Sequence, residues 1–447
     1  MHRHRATLHR DRQAGTPGTQ VPPVRVPLDP MPGRDRLARL VARTTRWAIR
    51  MSGRGQGTTL PGRLAQRVAP GVLARAARRL DPVVLVSGTN GKTTTTALLT
   101  AALRAAGRQV VTNATGSNLR PGLVAALLCH RGPGDCAVLE VDEATLRRVV
   151  GDLRPTLLVL LNLSRDQLDR YHEVHSVGAA WRDAATHLDG HAGVVAVDHD
   201  PLVCYAAEGA PRAVLVGIAG ARLGRDHAGC PACGVLLAAD RGRPACRSCG
   251  WQPGPRRVEA DRQGSLVRLR GLGQQVELSL PVASPGYAAN ATAAWAAAVT
   301  LGVDPAAAAR AIAGVGVVEA RYAEVGWHGR TVRLLLAKNP AGWDEVLAAV
   351  AGSRRPAVVS LEAGIPDGRD TSWFWDVDIR ALRDRPMVVA SGSRACDVAL
   401  RLGVAGVNYA VEPRLDRAIT LASDEGDALD LLADYTSFQA ARRLVGG

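Results

Sequence analysis

Lysine is almost missing from this 447-residue sequence: of 56 basic residues, only Lys92 and Lys338 are lysine and the rest are arginine. A chain so biased keeps lysine where a compact ammonium serves better than a planar guanidinium. Aromatic residues are also scarce, at 4%, with 2 phenylalanines and 6 tyrosines. The basic stretches are not interleaved with rings on which bases could stack, so nucleic acid is not expected as a partner. No apolar run approaches the ~18 residues of a membrane span. The opening MHRHRATLHRDRQAG is basic but lacks the apolar core of a secretory signal, which predicts a cytoplasmic protein. In that compartment eight cysteines point to metal ligation or core thiols rather than disulfides.

What is present fits a soluble globular chain of two or three domains, with 47% apolar and 22% charged residues. The net charge of +15 is not spread evenly. Residues 1–80 hold 17 arginines against 3 aspartates and no glutamate, which leaves the remaining 367 residues close to neutral. Two readings of that basic segment stay open. It is an arginine-rich, partly disordered leader, or a surface that approaches anionic membrane lipid or a pyrophosphate-bearing substrate.

Residues 1–30 lack periodicity and read as disordered. Residues 34–50 place apolar residues at helical spacing with arginines between them, predicting an amphipathic basic helix, and a second helix is expected near 62–80. From residue 83 onward strand-like runs at 109–112, 136–141, 157–162, 193–197 and 213–216 alternate with helical patterns, which predicts a parallel α/β sheet. Residues 221–258 break the pattern. Strand-like segments resume at 264–280, an Ala-rich helix follows at 287–302, and a second α/β unit begins near 323, with strands near 331–337, 356–361, 386–390 and 407–411.

The clearest chemical signal is Gly88-Thr89-Asn90-Gly91-Lys92-Thr93-Thr94, which follows the apolar run Val83–Val86 and opens a helix. Such glycines let backbone N–H groups curl around phosphate oxygens where the helix dipole also favours anions. Lys92 is expected to reach the β- and γ-phosphates of ATP, and Thr93 to hold Mg²⁺. A second signal is the pair Cys230-Pro-Ala-Cys233 and Cys246-Arg-Ser-Cys249. Each pair can grip one metal through two thiolates, and four protein ligands make a closed, structural Zn²⁺ site; redox disulfides are the alternative. Cys129, Cys136, Cys204 and Cys396 lack such spacing and read as core thiols.

The string GTNGKTT, one residue shorter in its loop than the general phosphate-loop pattern, resembles the Mur ligase and folylpolyglutamate synthase superfamily. That resemblance implies a Mur-ligase-like ATPase that phosphorylates a carboxylate with ATP and lets an amine attack the acyl phosphate. It also implies roles for further residues. Glu140 in VLEVDEA matches the acidic Mg²⁺ ligand, with Asp142 and Glu143 completing an E-x-D-E pattern. Asn290 looks like the adenine-contacting residue at a helix start, and Arg321 like the arginine that approaches the nucleotide. Asn162 with Asp166-Gln167-Leu168-Asp169-Arg170 resembles the N-x-x-x-D-H-L-D segment, with Gln167 in place of the histidine beside a second metal. The position of the carbamoylated lysine of amino-acid-adding Mur ligases is taken by Arg182, so a second metal site must differ. Only about 50 plausibly ordered residues precede the loop, too few for a UDP-binding domain.

The segments LLLAKNPAGWDEVL (334–347), PDGRDTSWFWDVDI (366–379), ASGSRACDVALRL (390–402) and ADYTSF (433–438), with the inserted Cys₄ zinc ribbon, resemble the MurT family of synthetase subunits. This implies a leader over 1–30, a basic helical segment over 31–80, a Mur-ligase central ATPase domain over 81–322 with the zinc-ribbon insertion at 221–258, and a C-terminal α/β domain over 323–447 that contacts a glutaminase. The family's reaction is ATP- and glutamine-dependent amidation of D-isoglutamate in the lipid II stem peptide, carried out with a GatD-like glutaminase at the inner face of the plasma membrane. Asp370 matches the aspartate that orients the partner's catalytic histidine, with Asp367 as its nearest rival; Lys338 has no assigned role. The alternative is a free-standing Mur or folylpolyglutamate-type peptide ligase.

Overall fold

The computed structural model describes residues 33–445, apart from 53–56, 114–116, 133, 165–173, 220–227, 241–242, 317–321, 365–366 and 368–369. The expected leader (1–30), Gln167 with its neighbours, and Arg321 lie outside the described residues.

Two β-sheets organise the chain. The first has nine strands in the order β11-β10-β9-β6-β5-β4-β1-β3-β2. At its centre β1 (Val83–Ser87) is fully buried between β3 (Cys136–Glu140) and β4 (Leu157–Leu160), parallel to both. Continuous Val/Leu runs are what a parallel strand covered on both faces requires. β2 (Val110–Thr112) lies at one edge, and β5 (Gly193–Val197) and β6 (Ala213–Ile218) extend the parallel part. The run expected at 264–280 is an antiparallel hairpin, β10 (Leu266–Gly271) and β11 (Gln274–Ser279), that continues from β9 (Arg256–Gln263).

One face of this sheet is covered by α4 (Lys92–Ala105), α9 (Pro285–Thr300) and α10 (Pro305–Ala313). Most of α9 is buried all round, and its alanines let neighbours approach closely while Trp295 fills the remaining space. The other face carries α5 (Arg120–Cys129), α6 (Glu143–Leu153), α7 (Val174–Thr186) and α8 (Pro201–Ala207), and over them the N-terminal helices.

Those N-terminal helices are α1 (Gly33–Met51), α2 (Leu60–Val68) and α3 (Val72–Ala77). The sequence predicts one helix over 62–80; the chain forms two. Pro70 removes a backbone donor, and Gly71 adopts φ 128°, a conformation that L side chains rarely adopt. Gly62 packs so closely on the Pro121 carbonyl that a Cβ there would overlap it, which fixes where α2 crosses α5. Buried Asp35 accepts two hydrogen bonds of 2.7 Å from Arg75, tying α1 to α3. Among the described residues no helix is long and apolar enough to cross a membrane.

The second sheet has six strands in the order β12-β13-β17-β14-β15-β16. These are β12 (Tyr322–Trp327), β13 (Arg330–Leu336), β14 (Ala357–Ser360), β15 (Val388–Ser391), β16 (Tyr409–Val411) and β17 (Ala428–Ala433). One face packs against α11 (Pro340–Ala349) and α12 (Ala395–Val404), the other against α13 (Leu415–Ser423) and α14 (Tyr435–Val445). β17 lies in the middle of this sheet although its sequence does not announce a strand. Its Asp430 is wholly buried and receives Arg333 at 2.7 Å and Arg385 at 2.6 Å. Burial alone would raise the pKa of this carboxyl, but the two guanidinium groups outweigh it and lower it.

Candidate active site

The phosphate loop sits where β1 turns into α4. Gly88 has φ 153° and Gly91 φ 86°. A Cβ on Gly91 would collide with the Asn290 side chain, so the glycine is what lets α9 approach the loop. The end of β4 braces it from the other side. Asn162 Oδ1 accepts from the Asn90 amide at 2.9 Å while its Nδ2 donates to the Asn90 carbonyl at 3.0 Å. Thr89 N donates to the Asn162 carbonyl at 2.8 Å, and Ser164 N donates to Thr89 Oγ1 at 3.0 Å.

Within this frame Lys92 Nζ donates to the Gly88 carbonyl and lies 3.2 Å from Glu143 Oε1. Thr93 Oγ1 donates to Glu140 Oε2 at 3.2 Å. Glu140 is nearly buried and its backbone is gripped by Asn113, which accepts from Glu140 N at 2.8 Å and donates to Glu140 O at 2.9 Å. Buried Trp181 donates to the Glu143 carbonyl at 2.9 Å and steadies the partner of Lys92. Gly88, Thr89, Asn90, Gly91, Lys92, Thr93, Thr94, Glu140 and Asn290 are therefore brought together. A hydroxyl and a carboxylate oxygen side by side, with the Lys92 ammonium carried by the residue before Thr93, suit an oxygen-loving divalent cation and a polyphosphate.

A cleft of about 120 Å³ opens beside the loop, lined by Asn90, Thr94 and Asn290 on the first sheet's side and by Leu335, Glu345 and Val346 on the second's. The two halves also touch directly: Asn90 Nδ2 donates to Asn339 Oδ1 at 3.2 Å. Asn339 caps α11, its side chain accepting from the Gly342 amide. Asn113 escapes sequence reasoning because it belongs to no local pattern; Asn339 lies in the segment 334–347, but nothing local reveals its contact with Asn90. Arg182 is held elsewhere, donating to the Tyr205 carbonyl at 2.7 Å and to Glu208 at 3.0 Å while stacking on the Tyr205 ring.

The four cysteines converge, with all four sulfur atoms within 4.8 Å of one another. Each half is a turn of the same design, Cys230–Gly234 and Cys246–Gly250, closed by a bond from the glycine N–H to the first cysteine's carbonyl and ending on a glycine with φ 77° or 75°. The amide of Cys249 pulls the Cys246 thiol down to about 6. The short hairpin of β7 (Ala238–Asp240) and β8 (Arg243–Ala245) spans the two halves. Trp251 Nε1 donates to Glu208 at 2.9 Å and anchors the unit.

In the C-terminal half Asp367 and Asp370 differ sharply. Asp367 is buried and accepts from both the amide (2.9 Å) and the hydroxyl of Thr436. Asp370 is exposed; the Ser372 amide, donating at 2.8 Å, holds its carboxyl below the usual range. The first anchors the segment to α14, and the second faces outward as an anion.

Comparison with known proteins agrees with this architecture. Residues 86–225 match the Mur ligase middle domain and residues 336–438 the MurT ligase C-terminal domain. The chain is 28% identical over 437 residues to the lipid II isoglutaminyl synthase (glutamine-hydrolyzing) subunit MurT of Staphylococcus aureus strain N315, covering 91% of this chain and 98% of that one. It is 29% identical over 433 residues to the subunit of the same name from Streptococcus pneumoniae strain ATCC BAA-255 / R6, covering 88% and 94%. In fold it resembles a pseudomurein peptide ligase type C from Methanothermus fervidus (TM-score 0.65, 21% identity, 82% of this chain and 78% of that one). It also resembles MurF from Acinetobacter baumannii (TM-score 0.64, 17% identity, 86% and 81%).

Proposed function

From a chain that joins a Mur ligase middle domain to a MurT ligase C-terminal domain, we propose the synthetase subunit of a lipid II isoglutaminyl synthase. It uses ATP to activate the α-carboxylate of D-isoglutamate in the stem peptide and delivers ammonia from glutamine, forming D-isoglutamine. The observation that carries the chemistry is the Thr93–Glu140 contact beside the Lys92–Glu143 pair on adjoining residues of the phosphate loop and the β3–α6 turn. An unactivated carboxylate offers no leaving group, so transfer of the γ-phosphoryl to its oxygen must precede attack by ammonia. The N–H groups of the loop and Lys92 bind the phosphates and counter the charge that moves during transfer. Asn290, beside Gly91, binds the adenine end. Thr93 and Glu140 fit Mg²⁺, which when bound supplies Lewis-acid stabilisation to the transferring oxygens.

The C-terminal half has a different task. Asp370, exposed and ionised, orients the catalytic histidine of a GatD-like glutaminase docked on this face, fixing its tautomer and stabilising its cationic form. Asp367 keeps that segment on α14 and does not reach the partner. The convergent Cys230, Cys233, Cys246 and Cys249 suit a closed tetrahedral Zn²⁺ whose binding energy is folding energy. The basic α1 faces the anionic inner leaflet where lipid II resides. A free-standing peptide ligase is the weaker reading: Arg182 is bound to Tyr205 and Glu208 and cannot be carbamoylated.

The test is reconstitution. The chain co-purified with a small glutaminase is expected to amidate lipid II only when both ATP and glutamine, or ATP and ammonium, are supplied. Ligation of an amino acid by the chain alone would overturn the proposal.

A further inference from the structure

Between α1 and α5 lies a groove of about 450 Å³. Arg43, Arg46 and Arg50 line one wall, spaced so that they share one face of α1, and Arg131 stands on the other. No aspartate or glutamate lines it. That is unusual in this molecule, where Arg75, Arg256, Arg333 and Arg385 each meet a buried carboxylate. Arg46, Arg50 and Arg131 have no carboxylate partner among the described residues. The crowding of like charge is felt nearby: Arg39 has its pKa lowered, by burial first and then by Arg43 and Arg79.

We propose that this groove binds the diphosphate of a lipid-linked substrate. Several guanidinium groups converging without counter-charge match a compact polyanion that accepts paired N–H bonds. The groove also leads to the reaction. Asn113 lines it, and the same side chain grips the backbone of Glu140, whose carboxylate meets Thr93. A substrate held by its anionic end can extend its body past Asn113 toward the phosphate loop. The lipid linkage has its own observation. Leu37, Leu40, Trp47 and Met51 form one stripe along α1, each more than half exposed, directly beside the arginine row, and Trp47 also lines the groove. An apolar stripe flanked by arginines suits the surface of an anionic bilayer. The lipid-linked source rests on the function proposed above; the diphosphate chemistry rests on the groove alone.

Inorganic pyrophosphate titrated calorimetrically into protein already saturated with Mg-ADP, so that the phosphate loop is occupied, is expected to bind. The exposed pair Arg50→Gln/Arg131→Gln should weaken that binding ~10–100-fold, as the loss of charge-assisted hydrogen bonds requires, with ADP affinity and thermal unfolding as controls for folding. No pyrophosphate binding to the native protein, or equal binding to the variant, would overturn the site. In the complex with the glutaminase the same pair should raise KM for lipid II by a similar factor. It should leave kcat/KM unchanged for the glycopeptide lacking diphosphate and lipid. An unchanged KM for lipid II alongside lost pyrophosphate binding would overturn the lipid-linked assignment. A complex that amidates neither substrate overturns the proposed function, and calorimetry still decides the groove.

Discussion

Glu140 and Asp370 are the two carboxylates given roles in the proposed chemistry, and their surroundings are opposite. Glu140 is buried, its backbone clamped by Asn113 and its oxygen met by Thr93, while Lys92, the residue before Thr93, pairs with Glu143. Asp370 is exposed and is held by Ser372, whose amide donates to it at 2.8 Å. One carboxylate has its partners inside the molecule; the other faces solvent. Under the proposed function the difference separates phosphoryl transfer, completed within this chain, from ammonia supply, completed across an interface.

The sharpest way to break that comparison is Lys92→Ala. It should abolish ATP-dependent amidation with glutamine or with ammonium, while glutamine hydrolysis by the complex persists. Near-normal amidation would remove the phosphate loop from the mechanism. Asp370→Asn should do the reverse, lowering glutamine hydrolysis ~10²–10⁴-fold if histidine orientation is lost as in other triads. ATP binding should survive and ammonium should restore amidation. Glutamate release and lipid II amidation, each measured with glutamine and with ammonium, separate the two variants. If Asp370→Asn retains normal hydrolysis, the C-terminal face does not complete the partner's site.

A smaller effect is expected from the Cys₄ unit, which belongs to neither region. Cys230→Ser with Cys233→Ser, or chelation, should lower the unfolding temperature of the first sheet's domain and leave residual activity at low temperature. A zinc-to-protein ratio near zero in reduced native protein would refute the metal assignment.

The smallest effect concerns Asp434, buried behind Asp367 at the start of α14. Burial, with a contribution from Asp367, raises its carboxyl to about 6. The folded chain therefore keeps this proton over a range where the unfolded chain has lost it. The stabilisation is full below about pH 4 and is lost as pH rises through about 6, amounting to no more than ~3 kcal/mol. The difference in unfolding temperature between native protein and Asp434→Asn should change between pH 4 and 7 and flatten above. A pH-independent difference would assign Asp434 a purely hydrogen-bonding role.

Much of this was legible in the residues because the signals are local. The phosphate loop occupies seven consecutive positions and each Cys-x-x-Cys turn five, so short-range backbone geometry decides their shape. The alternation of apolar runs likewise marked β1 to β6. The single helix expected at 62–80 failed at Pro70-Gly71, where backbone chemistry overrode apolar spacing. β17 was missed because Asp430 interrupts its apolar run.

By itself, then, the sequence determined the parallel sheet, the phosphate loop and the two Cys-x-x-Cys turns, since each depends on residues a few positions apart. Only tertiary structure decided the rest. Asp430 becomes a tolerable strand residue because Arg333 and Arg385, 97 and 45 positions away, neutralise it. Asp367 and Asp370 stand three residues apart in one segment, yet Thr436 buries the first and leaves the second to solvent. Asn113 and Asn339 gain roles, and the arginines of α1 gain a facing wall, only when strands and helices distant in sequence meet. Burial and counter-charge are properties of neighbours in space, and a linear pattern does not contain them.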